Sequence, residues 1–454
     1  MPAHLHPPAG VRPVPRAPAR GQRRHNRTHA VSAAVLSLIE RNISDKVAIV
    51  GDDRTATYAD LWHKSGQIAS GLRAGQRVAY RDRNRTDFWE LFIACLRAGA
   101  TLVPINFRLT ADEAAWIARD AGIGEVFDDA PVMIMYSSGT TGRPKGVLID
   151  DEQLAWTVGA FGALFEVDEH AVSLVPTPYH HIAGTGWSLI TLAAGGTIVQ
   201  NAEPTPASMS RQLVDFRATH AAMVPTLIQA LTDAPADFSA LRHIVYGGAP
   251  ITPALVGRAT EVLGARFHQS YGLTETTGVA TVLAPEEHRP DGRLTSVGRP
   301  LPGLEVRVAD GEILVRGPSV TRGYWRGESI VDGWLRTGDG GSFDEDGYLY
   351  LHDRIKDMIV SGGENVYPAE VERVLAAHPH VLDVAVVGVP SARWGESPIA
   401  VVVTIGAVDD LIPWSRERLA HYKCPVAVHV VETLPRNASG KILKRLLRKE
   451  YAHE

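Results

Sequence analysis

Between Thr57 and Gly122 the hydrophobic period switches repeatedly from helical to extended, and this alternation constrains the fold more than any other feature of the chain. "TATYADLWHKSGQIASGLRAG" carries a helical apolar stripe, with Thr57 placed as N-cap and Asp60 three residues on. "RVAY" is a buried-strand run, "TDFWELFIACLRAG" a second amphipathic helix and "ATLVPIN" another strand. "TADEAAWIARDAG" then opens on a Thr110–Glu113 capping box. Strands separated by helices pair through crossovers, so a parallel or mixed sheet flanked by helices is expected.

The same theme continues downstream. "RHIVYGGAP" ends a strand in a glycine turn, and "TPALVGRATEVLG" follows with Thr252 as cap and Pro253 in the first helical position. "EVRVADGEILVRG" reads as a hairpin turning at Asp310-Gly311. Beyond "HDRIKDMIVSGGENVYP" the chain becomes a compact αβ unit: helix "PAEVERVLAAHP", strands "DVAVVGV" and "IAVVVTI", helix "SRERLAHY", and a final basic helix from near Lys441. At 454 residues the chain exceeds the usual single-domain size. The expected division is 31–353, a connector at 354–357, and 358–454.

A net charge of −5 gives no support for a nucleic-acid partner. The two cysteines, Cys95 and Cys424, have neither a disulfide framework nor metal-ligand spacing, which suits a reducing cytoplasm. No apolar run approaches the length of a membrane span. Residues 1–30 are rich in Pro, Arg and His, without an acidic residue or the apolar centre of a secretory signal. They read as a disordered extension or a start codon placed too early.

"MIMYSSGTTGRPKGVLI" sets glycines, hydroxyls and a lysine between two apolar strands. Glycine lets backbone N–H groups converge on an anion, and Ser137, Ser138, Thr140, Thr141 and Lys145 add donors and charge. The order Gly139, Gly142, Lys145, followed by a strand, is not that of a Walker loop, which runs into a helix. A plain hairpin loop would explain the glycines but not the hydroxyls and lysine together.

"YSSGTTGRPKGV" resembles the phosphate-loop signature of the AMP-forming adenylating enzymes: acyl- and aryl-CoA ligases, adenylation domains and luciferases. "GGAP" (from Gly247), "YGLTE" (from Tyr271), "GWLRTGD" (to Asp339), "DRIKDMIVSGGENVYPAEVE" (from Asp353) and "PRNASGKILKR" (from Pro435) are similar to that family's motifs in the same order. The resemblance runs from about Ser37 to the C-terminus and is nearest to fatty-acid and aromatic-acid CoA ligases. It implies a large N-terminal domain of mixed sheets and a small mobile C-terminal α+β domain. It further implies a two-step reaction: a carboxylate attacks ATP to give acyl-AMP, and coenzyme A then displaces AMP.

By that resemblance Ser137, Ser138, Gly139, Thr140, Thr141, Gly142 and Lys145 would cradle phosphates, and Thr274 would hydrogen-bond one. Glu275 would hold Mg2+, a hard cation that keeps waters and takes phosphate oxygens. Gly247, Gly248, Ala249, Tyr271 and Gly272 would flank adenine, Asp339 would accept from the ribose hydroxyls and Arg354 would hold the nucleotide. Lys441 would reach the carboxylate and α-phosphate, offsetting charge as the pentavalent centre forms. Lys356 would be the pivot. Gly362 and Gly363 would line the pantetheine tunnel, and Arg108, Trp394 and Lys423 would contact coenzyme A. His181, Tyr246, Gly272 and Thr276 would border the acyl pocket.

Two features depart from the family pattern. The stretch near 122–131 is short by a strand–helix portion, which puts in question the sheet of that subdomain. In "PYHHIAG" His180 stands where an aromatic residue is usual. The partners implied are a small carboxylic acid and coenzyme A, with a monomer or homodimer as assembly. A carrier protein, or an amine as in nitrite-dependent N–N bond formation, is the alternative acceptor. A non-catalytic nucleotide-binding relative would lack Glu275, Asp339 or Lys441, and all are present.

Overall fold

The computed structural model describes residues 33–452 except 138–143, 234–235, 249–250, 289–291, 392 and 437–441. The capping signals act as written. Thr57 and Asp60 form a reciprocal box ahead of helix Tyr58–Ala69, and Thr110 and Glu113 do the same for Ala111–Ala121. Gly99, Gly122 and Gly264 end their helices in the left-handed conformation, where a side chain would be strained. Thr252 caps Pro253–Leu263. Asp310 and Gly311 both take positive φ, which turns Glu305–Ala309 back onto Glu312–Arg316.

Four sheets result. In the nine-stranded sheet, Arg266–Tyr271, His243–Gly247, His220–Met223, Val172–Val175, Thr197–Gln200 and Val47–Val50 are successive parallel neighbours. Its central residues, such as Ile49, Leu174, Ile198, Ala221 and Ile244, are fully buried, as expected of a sheet covered on both faces. A second sheet sets Arg77–Tyr80, Thr101–Pro104 and Met133–Ser137 parallel, then Lys145–Ile149 antiparallel. A third, antiparallel, runs from Glu305–Ala309 to Leu349–Arg354. The fourth contains Ile359–Ser361, Glu364–Val366, Val381–Ser391, Gly395–Thr404 and Val428–Val430.

Alternation in the fourth sheet separates two small cores. Val384, Val386, Ala400 and Val402 pack on one face with Val371 and Leu375. Ala385, Val387, Ile399 and Val401 pack on the other with Leu447 and Tyr451. The helix expected over "SRERLAHY" is displaced: it spans Leu411–Arg416, and a separate 3-10 turn follows at His421–Lys423. Buried Leu411 and Ser415, together with the Trp414 ring against His378, anchor the earlier register. The basic C-terminal helix runs over Lys444–Glu450.

The shortened stretch leaves the second sheet intact. After Gly122 the chain folds across its edge: Gly124 N–H donates to the Arg77 carbonyl (2.9 Å), and Phe127 N–H to that of Gly75 (3.0 Å). Gln76 and Val126 form a single antiparallel bridge. Beneath it the buried Arg77 guanidinium lies 3.9 Å from the Phe127 ring centroid and 3.5 Å from that of Trp325, and donates to the Ala121 carbonyl. Burial pushes its pKa down to about 10.

Candidate active site

The glycine loop is closed at its base. Ser137 and Lys145 are register partners, so both ends of the loop meet at one point. Ser138, Gly139, Thr140, Thr141 and Gly142 lie outside the described residues. Glu275 sits on the 3-10 turn Thr274–Thr276 and brings the strand ends together. Its Oε1 accepts from Ser137 Oγ (3.4 Å) and from the Tyr324 hydroxyl (3.1 Å). The Lys145 ammonium lies 5.1 Å from the Tyr324 ring centroid. Burial, then Glu275, raises the Tyr324 pKa, so its hydroxyl remains a donor.

The turn behind Glu275 is built by its neighbours. Thr276, expected on the acyl wall, is fully buried; its hydroxyl accepts from Leu273 N–H (2.9 Å). Thr277 adopts φ 54° and donates to the Ser319 carbonyl. These bonds direct the Glu275 side chain out of the sheet end, whereas Thr276 itself is committed to backbone.

Where the nucleotide is expected, Gly247 and Gly272 are places where a Cβ would collide with the carbonyls of Ser270 and Gly278. Gly248 has φ +76°; Ala249 lies outside the described residues. Tyr271 donates to Asp339 Oδ2 (2.8 Å), and Arg354 Nε meets Asp339 Oδ1 at 2.7 Å. Arg354 Nη1 also donates to the Thr337 carbonyl. Burial, and then Asp339, raises the Tyr271 pKa, keeping that phenol protonated.

His180 and His181 stand side by side, ring centroids 4.4 Å apart, with Phe107 edge-on to His180. Burial comes first and the neighbouring charges of His181 and Arg108 second in pushing His180 down to about 3; burial and Arg108 push His181 down to about 4. Both are therefore neutral at ordinary pH. Tyr246 is not with them. Its ring packs with Val256, Ala259 and Phe267, while Val245 packs with Ile182 in the other cluster. Alternation along the strand sends Tyr246 to the opposite face, where its hydroxyl lies 3.0 Å from His288 Nε2.

The expected coenzyme A residues fall into separate neighbourhoods. Gly362, at φ +62°, donates its N–H to the Trp394 carbonyl (2.8 Å) and lies under the Trp394 ring. Gly363 has φ +86° and open space where a Cβ would stand. Lys423 Nζ donates to both Glu370 oxygens (2.7 and 2.8 Å). Arg108 lies beside Phe107. Lys356 occupies the 3-10 turn Ile355–Asp357, between the Arg354–Asp339 pair and Asp357, which Arg448 grips through its side chain and carbonyl. Lys441 lies outside the described residues.

Sequence reasoning missed Tyr324. The signal was an aromatic pair within "RGYWRG", but its partners are remote in sequence. No group of three or more His, Cys, Asp or Glu among the described residues forms a cation cage. A lone carboxylate beside a phosphate-type loop suits Mg2+, which is held through few protein oxygens and substrate phosphates.

The chain matches the AMP-binding enzyme family over residues 39–130 and 125–325, and the AMP-binding enzyme C-terminal domain over 370–441. It is 36% identical to a feruloyl-CoA synthase of Amycolatopsis sp, over 87% of this chain and 94% of that protein. It is 35% identical to the fatty acid–[acyl-carrier-protein] ligase ScoC of Streptomyces coeruleorubidus, over 89% and 93% respectively. The o-succinylbenzoate CoA synthetase of Bacillus subtilis, solved in complex with its acyl-adenylate intermediate, superposes with a TM-score of 0.84 at 30% identity, covering 91% of this chain and 98% of that one. The same synthetase solved with ATP and a magnesium ion gives 0.84 at 30%, over 91% and 99%. With fold, motif order and these likenesses in agreement, the chain belongs to the AMP-binding enzyme family.

Proposed function

We propose that this protein is an AMP-forming acid–thiol ligase. It activates a carboxylic acid with ATP and Mg2+ as an acyl-adenylate, then passes the acyl group to coenzyme A. The observation that carries this reading is the convergence of Ser137, Lys145 and Glu275 at one sheet edge with Tyr271, Asp339 and Arg354 beside it. Phosphoryl chemistry depends mainly on positioning and charge neutralisation, which this set supplies. The glycine loop and Thr274 hold phosphates, Glu275 holds the magnesium, and Gly247, Gly248, Gly272 and Tyr271 flank the base. Asp339 takes the ribose hydroxyls. Lys441 neutralises charge at the α-phosphate as the acid attacks.

Residues 31–353 form the nucleotide and acyl domain and 358–454 the mobile one, which pivots at Lys356 to replace Lys441 by the Gly362–Gly363 segment. His181 borders the acid. Because His180 and His181 are neutral, they offer hydrogen bonds rather than charge to its tail. No helix among the described residues is long and apolar enough to cross a membrane. Both cysteines are buried and free, in keeping with a cytoplasmic setting.

A second reading differs only in acceptor: a carrier-protein thiol, favoured by the likeness to ScoC. Pyrophosphate release across aliphatic, aromatic and amino-bearing acids, repeated with coenzyme A and with a phosphopantetheinylated carrier protein, tests both. Acid-dependent release and a coenzyme A thioester are expected. No release with any acid would reject adenylation, and a thioester formed only on the carrier would replace the acceptor. Lys356→Pro should spare adenylation more than thioester formation; the opposite order would remove it as pivot.

A further inference from the structure

The segment Thr321–Trp325 lies against two parts of the site at once. Leu148 N–H donates to the Gly323 carbonyl (3.2 Å), and Trp325 N–H to that of Gly146 (2.7 Å). Val147 and Tyr324 form an antiparallel bridge, so the segment adds to the strand leaving the glycine loop. Thr321 N–H donates to the Glu275 carbonyl (2.8 Å), which fastens the same segment to the metal-ligand turn. Gly323 makes the path possible: its φ of +148° is a glycine conformation, and a Cβ would stand 2.7 Å from the Glu328 carbonyl oxygen.

From this splint the Tyr324 side chain reaches inward. Its hydroxyl donates to Glu275 Oε1, the oxygen that Ser137 also addresses, and its ring faces the Lys145 ammonium. Both hydroxyls occupy one oxygen of the carboxylate, while Oε2 has no hydrogen bond among the described residues. We propose that Tyr324 is a positioning residue for the metal–nucleotide step: it holds Glu275 by Oε1 so that Oε2 faces the cation. The aromatic face meanwhile keeps Lys145 at the mouth of the phosphate loop. A carboxylate on a short turn would otherwise sample several rotamers, and each costs orientation when the ion arrives.

This rests on the reading of Glu275 as the Mg2+ ligand, and the test separates the two. Mn2+ binding in the presence of ATP is followed by electron paramagnetic resonance, beside metal-free ATP binding by calorimetry. Wild-type protein, Tyr324→Phe, Glu275→Gln and the double variant are compared. Phenylalanine retains the ring, and a thermal melt checks the fold of each variant. Losing a hydrogen bond to a charged group predicts Mn2+ affinity weakened about tenfold in Tyr324→Phe, with metal-free ATP affinity within about twofold. In the Glu275→Gln background the Tyr324→Phe change should have almost no further effect, since the two groups act as one unit. Unchanged Mn2+ affinity in Tyr324→Phe, equal weakening with and without metal, or full additivity in the double variant would each overturn the proposal. If Glu275→Gln bound Mn2+ like wild type, the metal assignment itself would fail and the role of Tyr324 with it.

Discussion

The proposed ribose side and the proposed phosphate side of the site treat their carboxylates in opposite ways. Asp339 is buried in a strand whose register shifts between it and Gly341, and both of its oxygens are engaged, one by Tyr271 and the other by Arg354. Glu275 projects from a 3-10 turn and, among the described residues, its side chain receives neutral hydroxyls, both on one oxygen. One charge is therefore balanced within the fold, while the other is left to be balanced by what binds. Rigid, prepaired groups suit recognition of a sugar whose shape does not change; an under-compensated carboxylate suits an ion that arrives with its own phosphates.

Substitutions can break this contrast. Lys441→Ala removes the cation that the phosphate side is proposed to borrow from the mobile domain. It should slow acyl-AMP formation about 10²–10³-fold while leaving conversion of supplied acyl-AMP to thioester largely intact. Single-turnover assays of each half-reaction check this, and equal loss in both would cancel the assignment. Next in size is a split between stability and metal dependence. Asp339→Asn removes the charge facing Arg354 and should lower stability by about 2 kcal/mol, read from the denaturant midpoint. Glu275→Gln should shift that midpoint by less than about 0.5 kcal/mol yet raise the Mg2+ concentration needed for pyrophosphate release about tenfold or more. Matching stability losses would erase the distinction between the two sides.

The smallest effect concerns acid. His180 and His181 are pushed down to about 3 and about 4 from an ordinary value of 6.5, so the unfolded chain binds more protons than the native one between those values. Stability is then fully present above about pH 6.5 and falls as pH drops toward 4. His220 and His268, pushed down by burial and by neighbouring histidines to about 4 and about 3, add to the same slope. Replacing His181 by Asn should flatten the decline slightly between pH 6.5 and 4 in a denaturation series, while the profile above pH 7 stays unchanged. A flattening above pH 7 instead would show that the ring is charged in the native state.

Much of this architecture was written locally. Thr57 with Asp60, Thr110 with Glu113, and Asp310-Gly311 specify caps and a turn within a few residues, so they read directly from the chain. What resisted was decided by distant partners. Tyr246 lies against Phe267 in the cluster that holds Val256, a placement that depends on residues far from it in sequence. The helix at Leu411–Arg416 is set by the core it enters, not by the amphipathic run that follows it. Tyr324 meets Glu275 across 49 positions of sequence, beyond any local signal. The shortened stretch after Gly122 put the sheet of that subdomain in question, yet one bridge and the Arg77–Phe127–Trp325 stack finish the edge.

The two ion pairs around Ile355–Asp357 carry a mechanical consequence. Arg354 is moored to Asp339 and Asp357 to Arg448, which leaves Ile355 and Lys356, with two soft torsions apiece, as the span over which the proposed pivot would act. A swivel that short behaves as a stiff joint with few stops rather than as a loose tether, and it would swing the Gly362–Trp394 corner along a repeatable arc.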